Sequence, residues 1–324
     1  MRFIIAMFAL AAPLVGAASL NEDFSSDPVM HGWQVLGQSN LFRWNPTAQN
    51  LAVTWDSSRP NSGFYHLLGT ILNPNDDFGV ALDLRLDSIV GGVNPAKPST
   101  FQLAFGFLNI DDLRGTNFFR GSGHNSPNLV EFNFYPDTGF GATIWPAIWS
   151  TNSQPNYNGP DDYTLLDLPV GVFMHIVMKY AAVDQTLRTT ITTNGVSIGD
   201  IHPVPLSPSF TDFHSGTFAV ESYSDDGQDP QYGGSILATG VVDNVQITFP
   251  PPPVQNVSGH FENGVWQVQF ASRTNWLYTL ERTTDFQSWL AAVAPVSGNG
   301  TNLTLLDASA PAALAFYRVR AERP

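Results

Sequence analysis

The chain has no cysteine, so no disulfide can hold it together and its stability must come from core burial or a bound ion. Basic residues are scarce. Lys and Arg number 14 against 28 Asp and Glu, for a net charge of -14, and they form no cluster of the kind that phosphate-backbone binding requires. Nucleic acid is thereby excluded as a partner, while neutral glycans and cations stay open. There is no phosphate-cradling glycine loop, no His cluster at zinc spacing and no Ser-His-Asp signature. Beyond the N-terminal segment, no apolar run approaches the roughly 20 residues of a membrane-spanning helix, and no convincing amphipathic helix is found.

What the sequence has is hydrophobic residues (43%), aromatic residues (12%) and Pro, Gly, Asn and Asp as punctuation, which together describe a well-packed globular chain. The opening MRFIIAMFALAAPLVGAASL has a basic start, an apolar run and a small-residue exit, the pattern of a secretory signal peptide. The mature chain is expected to begin near Ala18 or Ser19 and to be secreted or extracytoplasmic, in the periplasm or at the cell surface. Short alternating segments then succeed one another, among them LAVTW, FYHL, FGVALDLRL, FQLAFGFL, VEFNFY, FGATIW, VFMHIVMKY, LRTTITT, TFAVESY and VVDNVQITF. In FGVALDLRL, Phe78, Val80, Leu82, Leu84 and Leu86 share a core face, and Asp83, Arg85 and Asp87 the opposite one. Asn194-Gly195 and Asn263-Gly264 signal tight hairpin turns. Pro250 to Pro253 interrupts the pattern before a second strand set, so the expected fold is all-β: residues 1–18 signal peptide, 19–249 a large sandwich, 250–253 a Pro linker and 254–324 a small sandwich.

LVEFNFYPDTG, within the first sandwich, carries Glu131, Asn133, Tyr135 and Asp137 on one side of a strand. Three readings compete: a metal site, a pair of catalytic carboxylates, or the wet side of a half-buried sheet. The stretch resembles the metal-binding strand and loop of legume lectins, which implies a concanavalin-like jelly-roll β-sandwich. By that resemblance Glu131 matches a transition-metal carboxylate, Tyr135 a calcium ligand acting through its carbonyl, and Asp137 a side-chain calcium ligand. Asn133 departs from the pattern, which has a bridging aspartate there.

VVDNVQITF places Asp243 on the face of Val241, Val245, Ile247 and Phe249, assigned to the core, where a lone carboxylate must be paired, hydrogen-bonded or bound to a cation. The pairing of NEDF with VDNV resembles the structural calcium of many carbohydrate-active jelly rolls, implying Asp243 with Glu22 or Asp23 as ligands. The alternative is that Asp243 caps a backbone turn.

Sugar recognition combines aromatic faces with amides and carboxylates. Trp145, Trp149, Tyr157 and Tyr163, with Glu131 and Asn133 nearby, supply both; equally, the two Trp side chains can simply cover the core. Hydrolysis would need a second carboxylate near Glu131, and Asp137, six positions along at about 3.3 Å per residue, is too far if the strand stays extended. For a lyase, Tyr65, His66 and His124 are possible bases and Arg114 or Arg120 could neutralise a uronate, though nothing in sequence links them. The tail, with its Tyr-Thr-Leu strand, Thr-Asp-Phe-x-x-Trp turn and Phe-Tyr-Arg-Val strand, resembles the immunoglobulin-like or fibronectin III-like modules of large exported bacterial proteins, which act as spacers, adhesion elements or sorting aids. The reading is therefore a non-catalytic binder of extracellular or cell-surface polysaccharide. The alternatives are a glycoside hydrolase or lyase acting through Glu131, and a structural or adhesion module. If calcium binds Asp243, its presence at about a hundred times its dissociation constant contributes roughly 2.7 kcal/mol. The expected outcome is a lower melting temperature in chelator than in millimolar calcium, with the difference abolished in Asp243→Ala; identical melts for the wild type contradict the ion.

Overall fold

Alternation in the sequence becomes the pleat of a sheet. In a computed structural model describing residues 17–91, 102–120, 124–138, 141–156, 163–226, 235–311 and 314–324, Phe78, Val80, Leu82, Leu84 and Leu86 are buried, and Asp83, Arg85 and Asp87 lie on the other side, as expected. The signal-peptide reading falls mainly on residues 1–16, outside the described residues, as does Tyr157. The chain divides into two compact units, Ala17–Pro250 and Pro251–Pro324. Among the described residues no helix is long and apolar enough to cross a membrane.

In chain order the first unit has β1 (Ala18–Glu22), β2 (Gln34–Leu36), β3 (Phe42–Asn45), β4 (Asn50–Asp56), β5 (Ser62–Leu72), β6 (Phe78–Gly91) and β7 (Leu103–Leu108). A short helix α1 (Ile110–Arg114) precedes β8 (Leu129–Tyr135), β9 (Thr143–Ile144), β10 (Ala147–Trp149) and β11 (Thr164–Leu165). Then come β12 (Phe173–Ala181), β13 (Thr186–Thr193), β14 (Val196–Ser197), β15 (Val204–Pro205), β16 (Ser215–Ser222) and β17 (Ile236–Phe249). One sheet runs β14-β13-β12-β6-β17-β4-β3, with β1 on β17 and β15 on β13; the other runs β11-β9-β8-β7-β16-β5-β2, with β10 on β8. Their inner faces meet in an aromatic core. Phe105 stacks on Phe132 at 4.8 Å, Trp33 on Phe64 at 4.8 Å and Phe78 on Tyr180 at 5.1 Å. The first unit is thus an antiparallel two-sheet β-sandwich, and burial of this aromatic layer is its main driving force.

Two details differ from the sequence reading. The five residues of α1 are too few to show a helical period, so its existence was not legible. Asp243 is not on the core face: a bulge between Asp243 and Gln246, where Asn244 has φ 49°, switches the parity of β17. Val242 is buried before the bulge, Val245 and Ile247 after it, and Asp243 is left on the outer face opposite Asp83.

The second unit has β18 (Gln255–Glu262), β19 (Val265–Ala271), β20 (Leu277–Thr283), β21 (Leu290–Ala291), β22 (Val296–Ser297), β23 (Asn302–Asp307) and β24 (Phe316–Glu322). They form two small sheets, β18-β19-β23 and β21-β20-β22 with β24 on β20, around Val268, Phe270, Trp276, Tyr278, Leu280 and Leu305. The Tyr278 hydroxyl donates to the carbonyl of Pro253 at 2.8 Å, fastening the end of the proline run to this core. Both Asn-Gly pairs adopt the double positive φ of a hairpin turn, 50° and 76° at Asn194-Gly195, 52° and 80° at Asn263-Gly264.

Gly106 on β7 deserves a test because a Cβ there would sit 2.3 Å from the Val130 carbonyl oxygen and 2.8 Å from the Glu131 Cα. Both obstacles are backbone and cannot turn aside. Gly106→Ala is expected to cost about 1–3 kcal/mol in equilibrium denaturation, and an unchanged midpoint would show that β7 and β8 are not packed this closely.

Candidate functional site

The polar row on β8 lies on the face of the second sheet turned away from the core, but it is not wet. Glu131 and Asn133 are both 0% exposed, so of the three readings the wet side of a half-buried sheet is corrected: the polar side chains are buried and hydrogen-bonded within the protein. The pairing registers define rows across the sheet. Asn133 is opposite Ala104 on β7, which is opposite Glu221 on β16, which is opposite Gly63 on β5. Ala147, Glu131, Gly106, Ala219 and Tyr65 form the next row. The small residues in these rows leave floor space between the carboxylates, and Leu113 of α1 reaches to within 3.5 Å of where a Gly63 Cβ would stand.

Arg120 fills that space. Its guanidinium pairs with Glu131 at 3.0 Å, with the two side chains 1% and 0% exposed, and lies 4.6 Å above the Trp149 ring. The Tyr223 hydroxyl donates to the other oxygen of Glu131. The His124 ring meets Trp149 edge-on at 4.1 Å. Glu131 is therefore committed to a guanidinium and a phenol, and the transition-metal role implied for it by the lectin resemblance has a cation already in its place.

Glu221, which the sequence reading passed over, is the second carboxylate. It is 0% exposed, and among the described residues neither of its oxygens has a hydrogen-bond partner; the same holds for Asn133 Oδ1. Burial, and next the charge of Glu131, push its carboxyl well above the ordinary glutamate range against the opposing pull of Arg120. Burial, followed by the charges of Glu131 and Glu221, likewise pushes the Tyr223 phenol up. Glu221 was legible in principle. In TFAVESY, Ala219, Glu221 and Tyr223 alternate with the core residues Phe218 and Val220, the same pattern that marked β8.

The aromatic candidates divide. Trp149, with 2% exposure, is sealed beneath Arg120 and His124. Trp145 is half-buried at the edge, where its backbone N–H donates to the Asn133 carbonyl at 2.8 Å and its carbonyl accepts from Asn133 Nδ2 at 3.1 Å. Tyr135 lies 6.3 Å from it and donates to Gln102 Oε1 at 2.5 Å. Thr164 pairs with Ile144, so the register carries Tyr163, 42% exposed, to the position beside Trp145. Asp137 is exposed beyond the end of β8 and does not join Glu131.

The other candidates are dispersed. The Tyr65 hydroxyl donates to Gln34 and accepts from Arg114, which also pairs with Asp111. His66 lies within hydrogen-bond distance of the His31 carbonyl, 3.0 Å away, and packs against Trp33. Around β1, Glu22 is 2.9 Å from His31 and accepts from the Phe24 N–H, so it does not fit a calcium ligand. Asp243 has a raised pKa from burial first, with the charges of Asp83 and Asp23 adding to it, while the Asn244 N–H opposes the shift. Among the described residues no three His, Asp or Glu side chains converge to hold a metal.

The Glu221 proton has a measurable consequence. A carboxyl whose folded-state pKa is raised stabilises the fold in its protonated form, fully below the ordinary glutamate value and progressively less as pH rises through the folded-state value. As pH rises above the ordinary glutamate range, wild-type unfolding free energy is expected to fall more steeply than that of Glu221→Gln, by up to about 1.4 kcal/mol per pH unit. Parallel profiles would rule out the bound proton. Arg120→Met, which strands a buried Glu131 charge, is expected to lose about 3–5 kcal/mol.

No family model and no curated protein matches the chain. Among solved structures it is similar to arcelin-5, a lectin-like defence protein from Phaseolus vulgaris (11% identity, TM-score 0.43, 72% of this chain and 98% of that one). Peanut lectin in complex with a nine-residue peptide is similar at 12% identity and TM-score 0.43 over 72% of this chain and 97% of that one. So is the PL-14 alginate lyase from the marine Aplysia kurodai, at 13% identity and TM-score 0.42 over 71% and 97%. All three are distant similarities.

Proposed function

We propose that the first unit is an exported, non-catalytic carbohydrate-binding sandwich of the concanavalin-like kind, taking extracellular or cell-surface polysaccharide along the edge formed by β8, β9 and β11. The observation that carries this reading is the line of Trp145 and Tyr163, with Tyr135 beside it: half-buried to exposed aromatic surfaces at the rim of a polar sheet face. Hydroxyl-bearing rings fit such a rim, since their C–H faces stack on indole and phenol. The acidic charge of the chain favours a neutral glycan. Tyr157 belongs to this reading by sequence alone.

Export rests on the N-terminal segment. A structural calcium at Asp243 and Asp23 is supported by the charges of Asp83 and Asp23 acting on the Asp243 carboxyl, which a cation would offset; main-chain carbonyls would have to complete the six to eight oxygens that calcium takes. The second unit, with its two small antiparallel sheets, is read as an immunoglobulin-like or fibronectin III-like module.

Polysaccharide cleavage is the second reading. Its support is that two carboxylates, Glu131 and Glu221, share one face, and that burial and the charge of Glu131 push the Glu221 carboxyl well above the ordinary glutamate range, as in a general acid. Binding is preferred because Glu131 is held by Arg120 and Tyr223 and both carboxylates are fully covered. On a glycan array with calcium and with chelator, Trp145→Ala is expected to weaken retention about tenfold, equivalent to about 1.4 kcal/mol, with no released product. Unaltered retention in Trp145→Ala would sink the binding edge. Product release abolished by Glu131→Gln would establish cleavage instead.

A further inference from the structure

In the second unit, Thr283-Thr284-Asp285-Phe286-Gln287-Ser288-Trp289 leaves β20 through a turn that holds an aromatic ring outward. Phe286 is 60% exposed and has φ 59°. A bulky side chain in the left-handed region costs on the order of 1–3 kcal/mol and needs surroundings that enforce it. They are present: Thr283 Oγ1 accepts from the Asp285 and Phe286 N–H groups at 3.2 and 3.0 Å, and Asp285 Oδ1 accepts from those of Gln287 and Ser288 at 2.8 and 2.9 Å. Exposure this high means that core burial does not account for the strain.

The ring is supported from beneath. Its centroid is 4.0 Å from that of Phe316 and 6.4 Å from that of Trp289, which in turn lies 4.1 Å under the Arg318 guanidinium. Arg318 and Arg320 both pair with Glu281, at 2.7 and 2.9 Å, and Arg320 also pairs with Glu322 at 2.8 Å. Two guanidiniums and two carboxylates cancel, so this strip presents fixed donors and acceptors without net charge. The exposed side chains of Gln287 and Ser288 flank the ring on the turn itself.

We propose that Phe286, backed by Phe316 and Trp289 and flanked by Gln287 and Ser288, is a second carbohydrate site, which stacks one pyranose ring of a neutral polysaccharide. The electroneutral strip disfavours a polyanion, for which an uncompensated cluster of basic residues would be needed. A feature centred on a single ring is far smaller than the roughly 800 Å² per partner of a stable protein interface, whereas a sugar ring covers an area of that order of one aromatic face. A pre-set turn also removes the entropy cost of ordering the ring on binding. The site is on a different unit from Trp145 and goes beyond the reading given for that edge.

The test uses the full chain in native gels containing soluble galactomannan, xyloglucan or a neutral β-glucan. In a Trp145→Ala background, Phe286→Ala is expected to raise the apparent dissociation constant about fivefold for at least one polymer, with Phe286→Trp retaining it. Gln287→Ala, which leaves the turn's backbone bonds intact, should weaken binding to the same polymer. Equal migration of Phe286→Ala and its Trp145→Ala parent overturns the second site, as does the absence of retardation of wild type in all three polymers. A change in sedimentation with Phe286→Ala would assign the ring to contact between copies and overturn it too. Loss of binding in Trp145→Ala alone, with Phe286→Ala neutral in the wild type, would leave the first edge standing by itself.

Discussion

The pairing of Arg120 with Glu131 is the constraint on which the polar side of the second sheet depends. Each charge is out of water, and each tolerates that only because the other is 3.0 Å away. Glu131 comes from a central strand, Arg120 from the segment between α1 and β8, and the phenol that completes the set from Tyr223 just beyond β16. The interaction thus fixes a connecting segment onto the sheet in a chain with no disulfide to do so. Gly106 and Ala147 stand directly across from Glu131 on either side, and at Gly106 the close approach of the β8 backbone leaves no space for a side chain.

One guanidinium cannot neutralise two carboxylates. Glu221 stands one strand beyond β7, its oxygens without donors among the described residues, so burial and the nearby Glu131 charge favour the neutral form of its carboxyl. The acidity of the whole chain works in the same direction, because a surplus of carboxylates elsewhere gives Glu221 no help in ionising. Buried electrostatics here are a matter of internal balance, and the surface that meets a ligand has to be sought at the sheet's edge.

How much of this was legible in the sequence follows from the range of the interactions. Strand alternation is local, so the core face of β6 and the polar face of β8 could be read from neighbouring residues. Both Asn-Gly hairpins were legible for the same reason. Asp243 was misplaced because a bulge at Asn244 breaks the period of two, and nothing in VVDNVQITF announces the extra residue except the asparagine, which tolerates positive φ. The partnership of Glu131 with Arg120 and Tyr223 joins positions far apart in the chain, and pairing of that kind is set by strand order, which one sequence does not disclose. Glu22 shows the same limit: its commitment to His31 depends on a turn of the N-terminal segment.

Trp145 and Trp149 show how register decides between structure and function. They are four residues apart, and both stand on the face of Glu131, because β9 and β10 continue one register along β8 across the interruption at Pro146. Trp149 lies over Leu129 at the covered end, where Arg120 and His124 close upon it, and its exposure of 2% leaves no face for a ligand. Trp145 lies against Asn133 toward the sheet's free edge, with Tyr135 on its flank and the exposed Tyr163 next in line. Had the strand been shifted by four residues, Trp149 would stand opposite Asn133 instead, since an even shift preserves the face and moves only the row. The guanidinium that closes over Trp149 is therefore what selects Trp145: by sealing one end of the row, the buried ion pair leaves the other end, at Trp145 and Tyr163, as the place where aromatic surface is exposed.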